Sequence, residues 1–287
     1  MSDTKPLVDA AWLARQPPGS VRIVDLRWAL SGPAALEKYR AGHIPAAVYV
    51  DMEHDLSRPG GPGRHPFPAP EDFARALGRI GVTPETHVIV YDDGSGSVAA
   101  RLWFMLRVHG HQRASVLDGG YAAWVKAGLP VTKDEPAVAP VPPPALRLDT
   151  SRIVDRARVA EALAGRKEPA SRRALVMDAR APERYRGETE PVDKRAGHIP
   201  GAVNAPFSGN LKEGRFRPPE ELRALYERLG AGRASDVIAS CGSGVTACHT
   251  LLALELAGFP AAKLYVGSWS DWSNQPGAAV ATGPEPG

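Results

Sequence analysis

An internal repeat constrains the fold of this chain more than any other feature. Residues 40–48 read Arg-Ala-Gly-His-Ile-Pro-Ala-Ala-Val, and residues 195–203 read Arg-Ala-Gly-His-Ile-Pro-Gly-Ala-Val. A short apolar run that ends in Asp-x-Arg precedes each of these segments, at residues 21–27 and 174–180. Two long copies in tandem indicate a duplicated domain rather than a solenoid of many short repeats. A chain of 287 residues is long enough for each copy to bury its own core.

Each copy alternates strand-like and helix-like segments. Residues 237–240 form a short apolar run that predicts a buried strand, and the Ala/Leu-rich residues 246–256 predict a helix. The first copy repeats this order at residues 88–91 and 98–108. Strands that alternate with helices predict an α/β fold, in which each domain is a parallel sheet with helices on both faces. Ligands bind such domains at the carboxyl ends of the strands.

A proline-rich stretch separates the two copies. Five prolines fall between residues 133 and 144. A cluster of prolines cannot enter a helix interior or a central strand, so this stretch is expected to run as an extended linker. The predicted organisation is a first domain at residues 1–132, a linker at 133–147 and a second domain at 148–287.

The second copy places a cysteine where a strand turns into a helix. Cys241 follows the predicted strand, and Gly242 and Gly244 let the turn fold tightly with backbone N–H groups pointing inward. Unpaired N–H groups and the helix dipole favour an anion there, and the anionic thiolate is the reactive form of cysteine. The alternative is a buried cysteine that only packs. In the first copy Asp92 holds the matching position, so we predict that the first domain is catalytically inactive.

The composition excludes several classes of function. Lysine and arginine number 35 and aspartate and glutamate 32, which leaves a scattered net charge of +3 and predicts no nucleic-acid partner. No apolar run is long enough to span a bilayer, and the first residues do not resemble a secretory signal. Two cysteines make no disulfide framework and fit a reducing cytoplasm. No Cys/His cluster has zinc-ligand spacing, so no metal site is expected.

These segments resemble the rhodanese superfamily, and specifically its tandem-domain sulfurtransferases. The resemblance covers nearly the whole chain: it includes the repeated segments, the loop at 241–246, Gly-Gly-Tyr-x-x-Trp at 119–124 and Gly-Ser-Trp-x-x-Trp at 267–272. It implies that Cys241 takes a sulfane sulfur from a small anionic donor and becomes a persulfide. The sulfur then passes to an acceptor, which is a thiol, a thioredoxin-like protein or cyanide. Because the covalent persulfide divides the transfer into two steps, no metal or organic cofactor is expected.

The composition of the cysteine loop bears on the donor. Within the resembling family, Cys-Gly-Ser-Gly-Val-Thr is typical of the 3-mercaptopyruvate type, whereas the thiosulfate type usually carries Arg-Lys where Gly242 and Ser243 stand. Small residues and a hydroxyl suit a monoanion that bears a carbonyl, so 3-mercaptopyruvate is favoured and thiosulfate is the alternative. We expect Ser243 to assist proton movement or to bind the donor, although a serine that hydrogen-bonds its own backbone is an equal alternative.

The resemblance also assigns the residues that bind the donor. Arg184 matches the family arginine that clamps the anionic group of the donor. An arginine suits this role because its guanidinium fork fits a carboxylate or a sulfonate. The loop is expected to contribute its backbone N–H groups, from Gly242, Gly244, Val245 and Thr246. A second arginine often follows the Glu-Pro of mercaptopyruvate enzymes, but Val192 stands there in this chain.

Two other classes of protein use a cysteine on such a loop. A cysteine phosphatase needs Cys-x5-Arg to bind phosphoryl oxygens in the transition state, and Ala247 holds that position here. A non-catalytic sulfur carrier or redox-sensing module stays open, because the same persulfide serves both roles. On the helix that follows the loop, we expect Cys248 in the core and His249 on the surface.

Overall fold

The computed structural model describes residues 4–31, 34–164, 174–232 and 236–287. The chain divides into two compact units. Unit 1 comprises the described residues of Met1–Arg58, Phe67–Asp149 and Glu213–Arg215. Unit 2 comprises those of Pro59–Pro66, Thr150–Lys212 and Phe216–Gly287. Each unit therefore contains one repeat copy and, in addition, one short segment that the sequence assigns to the other copy.

Unit 1 is built around a five-stranded parallel sheet. Its strands are β1 (Leu7–Val8), β2 (Val21–Asp25), β3 (Val48–Tyr49), β4 (His87–Tyr91) and β5 (Ala114–Leu117), in the order β1-β5-β4-β2-β3. Its helices are α1 (Ala10–Ala14), α2 (Ala35–Ala41), α3 (Pro70–Arg79), α4 (Ala99–Val108) and α5 (Gly120–Lys126). The proline-rich stretch has no regular structure, and Val141 N–H donates to the carbonyl of Gly78 on α3, at 2.9 Å.

Unit 2 repeats this architecture strand for strand. Its sheet contains β6 (Ile153–Val154), β7 (Ala174–Asp178), β8 (Val203–Asn204), β11 (Asp236–Ser240) and β12 (Lys263–Tyr265), in the order β6-β12-β11-β7-β8. The helices are α6 (Arg156–Ala164), α7 (Pro182–Tyr185), α8 (Pro219–Leu229), α9 (Thr246–Leu256) and α10 (Ser268–Trp272). Two short strands, β9 (Leu211–Lys212) and β10 (Arg215–Phe216), pair separately. The predicted fold class, two tandem α/β domains with parallel sheets, is confirmed.

The Asp-x-Arg runs form the same buried ion pair in both units. Arg27 lies 2.7 Å from Asp25, and Arg180 lies 2.6 Å from Asp178. Each guanidinium also donates to the carbonyl of the glycine in Gly-His-Ile-Pro, at 2.7 and 2.8 Å. Because the pair recurs in the unit that lacks the cysteine, it ties the end of a strand to the next segment in both copies.

The two Gly-His-Ile-Pro histidines are also equivalent. The ring of His43 stacks on Tyr39 at a centroid distance of 3.9 Å, and the ring of His198 stacks on Tyr185 at 3.7 Å. Each Nδ1 bonds the backbone carbonyl of the tyrosine on which its ring stacks, at 2.9 and 2.8 Å. Both histidines are fully buried. Their contacts therefore serve the packing of each unit.

Helix α9 lies in the interior of unit 2. It packs against α8, β11, β12 and the short 3-10 turn Phe207–Asn210, so that residues on all its faces are buried. The expectation that His249 lies on the surface is therefore wrong. Its ring stacks on Phe216 at 4.3 Å, and Asn210 Nδ2 donates to its Nδ1 at 3.3 Å. In the described ranges, no helix has the length and apolar character needed to cross a membrane.

Candidate active site

Cys241 lies at the carboxyl end of β11, at the edge of the sheet where ligands bind in such folds. Its side chain is 1% exposed. The Cys241 N–H donates to Ser268 Oγ at 3.1 Å, and the Cys241 carbonyl accepts from the N–H of Trp269 at 2.9 Å. The N–H of Gly244 donates to Sγ at 3.1 Å. The sulfur is thus fixed at the base of the loop, with a backbone donor directed at it.

Two glycines of the loop are required for different reasons. Gly244 has φ +76°, and a methyl group on it would lie 2.5 Å from the carbonyl oxygen of Val266. Both facts exclude a larger side chain. A methyl group on Gly242 would lie 3.0 Å from Arg64 Nη2 and 3.6 Å from Arg184 Nη1. The absence of a side chain at Gly242 therefore leaves room for two guanidinium groups beside Cys241.

The remaining loop residues lead into α9. Val245 is the N-cap position and Thr246 the first helical residue, and among the described residues no side chain caps this helix. Cys248 is buried one turn into the helix, where its thiol donates to the carbonyl of Gly244 at 3.3 Å. Cys248 thus lies in the core, as expected.

Ser243 contacts a histidine that the sequence reading missed. His65 Nδ1 lies 2.7 Å from Ser243 Oγ, and the proton sits on either atom according to the tautomer of the ring. Both side chains are buried. His65 belongs to Pro59–Pro66, the segment of the first copy that is part of unit 2. It stands in a Pro/Gly-rich run without periodicity, where the only signal is an adjacent pair of basic side chains, Arg64 and His65.

Arg184, in the last turn of α7, lies beside the loop. Its Nη2 donates to Glu190 Oε1 at 2.6 Å and lies 3.6 Å from Asp193 Oδ2. Burial alone would raise the pKa of Glu190. The hydrogen bond from Arg184 and those from backbone N–H groups outweigh it and hold that pKa below its ordinary value. The Glu190 carboxylate therefore stays charged and keeps Arg184 in place.

Arg180 adds a permanent cation behind the cysteine. Burial by itself lowers the pKa of Arg180, but the charges of Asp178, Glu190 and the Cys241 thiolate together raise it. Its guanidinium lies 4.8 Å from the ring centroid of Trp269 and 3.3 Å from Glu190. Arg180 is therefore a buried, permanently charged group in the surroundings of Cys241.

In unit 1 the matching loop is occupied by a side chain of the protein. Asp92 is buried, and its carboxylate accepts four backbone N–H groups of the loop. The donors are those of Gly94 at 3.0 Å, Gly96 at 2.9 Å, Val98 at 2.9 Å and Ala99 at 3.2 Å. Among the residues that the structure describes, neither unit contains a group of three His, Cys, Asp or Glu side chains arranged to hold a metal ion.

Comparison with known proteins identifies the family of this chain. The model of the rhodanese-like domain matches residues 9–127 and 159–275. A "Probable 3-mercaptopyruvate sulfurtransferase" of Pseudomonas aeruginosa is 43% identical over 99% of this chain and 100% of its own length. The thiosulfate sulfurtransferase of Cricetulus griseus is 39% identical over 94% of this chain and 92% of its own length.

A solved structure agrees with these relatives. The crystal structure of SseA from Escherichia coli, a 3-mercaptopyruvate sulfotransferase, matches with a TM-score of 0.79 and 35% identity, over 93% of this chain and 100% of its own. The chain belongs to the rhodanese family. Since relatives over its whole length are sulfurtransferases, it is an enzyme of that class, and its sulfur transfer proceeds through a cysteine persulfide, as is general for the family.

Proposed function

We propose that this enzyme moves sulfur from 3-mercaptopyruvate, through a persulfide on Cys241, to a thiol, a thioredoxin-like protein or cyanide. The observation that carries the donor choice is the hydrogen bond between Ser243 and His65 beside Cys241. A donor whose carbon must be protonated when its C–S bond breaks needs such a pair, and thiosulfate does not. The reaction needs no metal or organic cofactor.

In the first half-reaction the Cys241 thiolate attacks the sulfur of 3-mercaptopyruvate. The S–S bond forms, the C–S bond breaks, and its electron pair remains on the pyruvate fragment as the enolate. The Gly244 N–H and the charge of Arg180 stabilise the anionic sulfur. Arg184 binds the carboxylate of the donor through its guanidinium fork.

The enolate must gain a proton at its methylene carbon to leave as pyruvate. His65 and Ser243 form a buried acid–base pair at hydrogen-bond distance. Ser243 directly follows Gly242, the loop residue beside which the donor binds in this proposal. The proton comes from the transferred –SH group and reaches the carbon through this pair. The balance is thiolate plus 3-mercaptopyruvate giving anionic persulfide plus pyruvate, with no net change of charge.

In the second half-reaction the acceptor attacks the outer sulfur of the persulfide. The S–S bond breaks and Cys241 leaves as the thiolate, ready for another donor. Both cysteines are free thiols, and we place the reaction in a reducing cytoplasm, where small thiols and thioredoxin-like proteins are abundant acceptors. A non-catalytic sulfur carrier would load once and release sulfur only to its partner, so multiple turnover with a small thiol separates the two roles.

Thiosulfate is the second candidate donor. The observation that favours it is the presence of two guanidinium groups, of Arg64 and Arg184, next to Gly242. A relative 39% identical is named thiosulfate sulfurtransferase, so overall similarity does not decide between the donors.

Steady-state kinetics with the two donors, at one fixed concentration of cyanide and then of a small thiol, test the proposal. We expect kcat/KM for 3-mercaptopyruvate to exceed that for thiosulfate with both acceptors. Ser243→Ala serves as the internal probe, because it removes the hydroxyl and leaves Cys241 in place. A wild-type preference for thiosulfate would contradict the donor choice, and single turnover only would favour the carrier role.

A further inference from the structure

Arg64 reaches the active-site loop from Pro59–Pro66, the segment of the first copy that is part of unit 2. The Arg64 N–H donates to Ser270 Oγ at 3.0 Å. A methyl group on Gly63 would lie 2.5 Å from the carbonyl oxygen of Gly267 and 2.9 Å from Ser270 Oγ. The backbone before Arg64 is therefore in direct contact with the turn that leads into α10, which fixes where its side chain begins.

The guanidinium groups of Arg64 and Arg184 both lie next to Gly242. From the position of a methyl group on Gly242, Arg64 Nη2 is 3.0 Å away, and the Nη atoms of Arg184 are 3.6 and 3.7 Å away. Gly242 directly follows Cys241. An anionic donor whose sulfur meets Cys241 therefore has both guanidinium groups within reach.

Asp193 connects the two arginines. Its Oδ1 accepts a hydrogen bond from Arg64 Nη1, and its Oδ2 lies 3.6 Å from Arg184 Nη2. The Asp193 side chain is 4% exposed, whereas Arg64 is 25% and Arg184 19% exposed. The carboxylate is thus the buried anchor, and the two guanidinium groups present their remaining edges to a ligand.

Both arginines keep an unused donor. Within the described part of the chain, Nε of Arg64 and Nε of Arg184 are buried and have no hydrogen-bond partner. A buried N–H group without a partner is costly, so its persistence points to a ligand that supplies the acceptor. A carboxylate has two oxygens, which matches two such donors.

We propose that Arg64 is a second donor-binding residue. Asp193 holds Arg64 in place and offsets its charge, and it thereby determines whether the site prefers a monoanionic or a dianionic donor. The inference rests on the proposed sulfur transfer and specifies how its donor is selected. Arg64, Arg180 and Arg184 carry three positive charges, and Asp178, Asp193 and Glu190 offset them with three negative charges. The site is then neutral without a donor, so the second negative charge of thiosulfate makes it less favourable there than a monoanionic carboxylate.

Donor kinetics of matched variants test this role. We expect Arg64→Ala to raise the KM for 3-mercaptopyruvate at least about tenfold, since it removes a charge-assisted contact, with the KM for the acceptor unchanged. Arg64→Lys keeps the charge and should lose less. Arg186→Ala is the control: it removes the same charge at the end of α7, where Arg186 pairs only with the exposed Glu188 among the described residues, and it should leave both KM values unchanged.

Asp193→Asn tests the charge selection. This variant removes one negative charge, so the ratio of kcat/KM for thiosulfate to that for 3-mercaptopyruvate should rise about tenfold. Asp193→Glu keeps the charge and should leave the ratio near the wild-type value. If Asp193→Asn does not fold, the inhibition constants of sulfite and of pyruvate are measured with wild type and with Arg64→Gln. We expect Arg64→Gln to lose more affinity for sulfite, the dianion, than for pyruvate, the monoanion.

A measurement of binding separates this inference from the chemistry. Pyruvate is titrated calorimetrically into Cys241→Ala and into Cys241→Ala/Arg64→Ala, neither of which turns over. Weaker binding by the double variant supports the role of Arg64. Equal binding, or an Arg64→Ala KM equal to that of Arg186→Ala while wild type transfers sulfur, overturns it and leaves the proposed function intact. If wild type transfers sulfur from neither donor, the proposed function itself fails.

Discussion

The two units have equivalent loops on equivalent sheets, and they differ in the side chain that occupies the loop. In unit 1 the Asp92 carboxylate accepts four loop N–H groups, whereas in unit 2 the Gly244 N–H is directed at Cys241 Sγ. A carboxylate satisfies an anion-binding loop permanently. A sulfur at the same place also occupies the loop, but it can accept and release a second sulfur.

The second difference lies at the next residue of the loop, which is Asp93 in unit 1 and Gly242 in unit 2. Tyr39 and Tyr185 stack on equivalent histidines, so Lys38 in unit 1 corresponds to Arg184 in unit 2. Lys38 pairs with Asp93 at 2.7 Å, whereas Arg184 faces Gly242. Unit 1 therefore fills both of its anion positions with its own carboxylates. In unit 2 the same two positions hold Cys241 and Gly242, and Arg184 pairs with Glu190, which lies outside the loop.

Cys241→Ala is expected to have the largest effect. It removes the only thiol of the two loops, so sulfur transfer should fall to background with either donor. The core should tolerate the change because the side chain becomes only slightly smaller. Activity assays together with circular dichroism check both parts, and appreciable turnover in a folded variant would move the reaction away from this loop.

His65→Ala should lower turnover with 3-mercaptopyruvate about a hundredfold, as expected for loss of a general acid–base group. The loss with thiosulfate should be much smaller, because sulfite leaves without needing a proton. Unit 1 offers the control in His43→Ala, whose histidine is buried in packing and should affect stability rather than the ratio between donors. Equal losses with both donors in His65→Ala would assign His65 a packing role.

Arg184→Lys should raise the donor KM about tenfold, because a point charge replaces a bidentate fork. The acceptor KM should change little, since the acceptor meets the persulfide after the donor has left. Steady-state kinetics with each substrate varied in turn measure both values. A parallel rise in both would show that Arg184 shapes the loop instead of binding the donor.

Asp92→Ala should have the smallest effect on transfer and a clear effect on stability. It leaves four loop N–H groups, three of them in buried hydrogen bonds, without their acceptor, which should cost unit 1 about 3 kcal/mol of unfolding free energy. Urea unfolding of the full chain measures this cost, and Asp93→Ala is the matched control because Asp93 is exposed. A loss of sulfur transfer in folded Asp92→Ala would contradict the separation of roles between the two loops.

Local sequence signals were sufficient for the fold and for the cysteine loop. The predicted helix at 246–256 coincides with α9, and β11 begins one residue before the predicted strand. Both follow from strong apolar patterns bounded by glycines. The exchange of segments between repeat copies leaves no such signal. His65 and Ser243 are 178 positions apart, and their contact depends on tertiary packing of a segment without periodicity.

The error at His249 has a related cause. A histidine in an Ala/Leu-rich helix is expected at the surface when the helix has one apolar face. Helix α9 is surrounded, and His249 finds both an aromatic partner in Phe216 and a polar partner in Asn210. Neither partner is near it in the sequence. The roles of Ser243 and Arg184, in turn, remain predictions that depend on the kinetics above.

Mass spectrometry of the loaded enzyme tests whether Cys241 carries the transferred sulfur. Wild type and Cys241→Ala are incubated with 3-mercaptopyruvate without an acceptor. Their intact masses are measured, and both proteins are then digested for peptide mapping. We expect the mass of one added sulfur atom on wild type, located at Cys241 and released by cyanide, and no added mass on Cys241→Ala. Sulfur found at Cys248, or retained by Cys241→Ala, would contradict it.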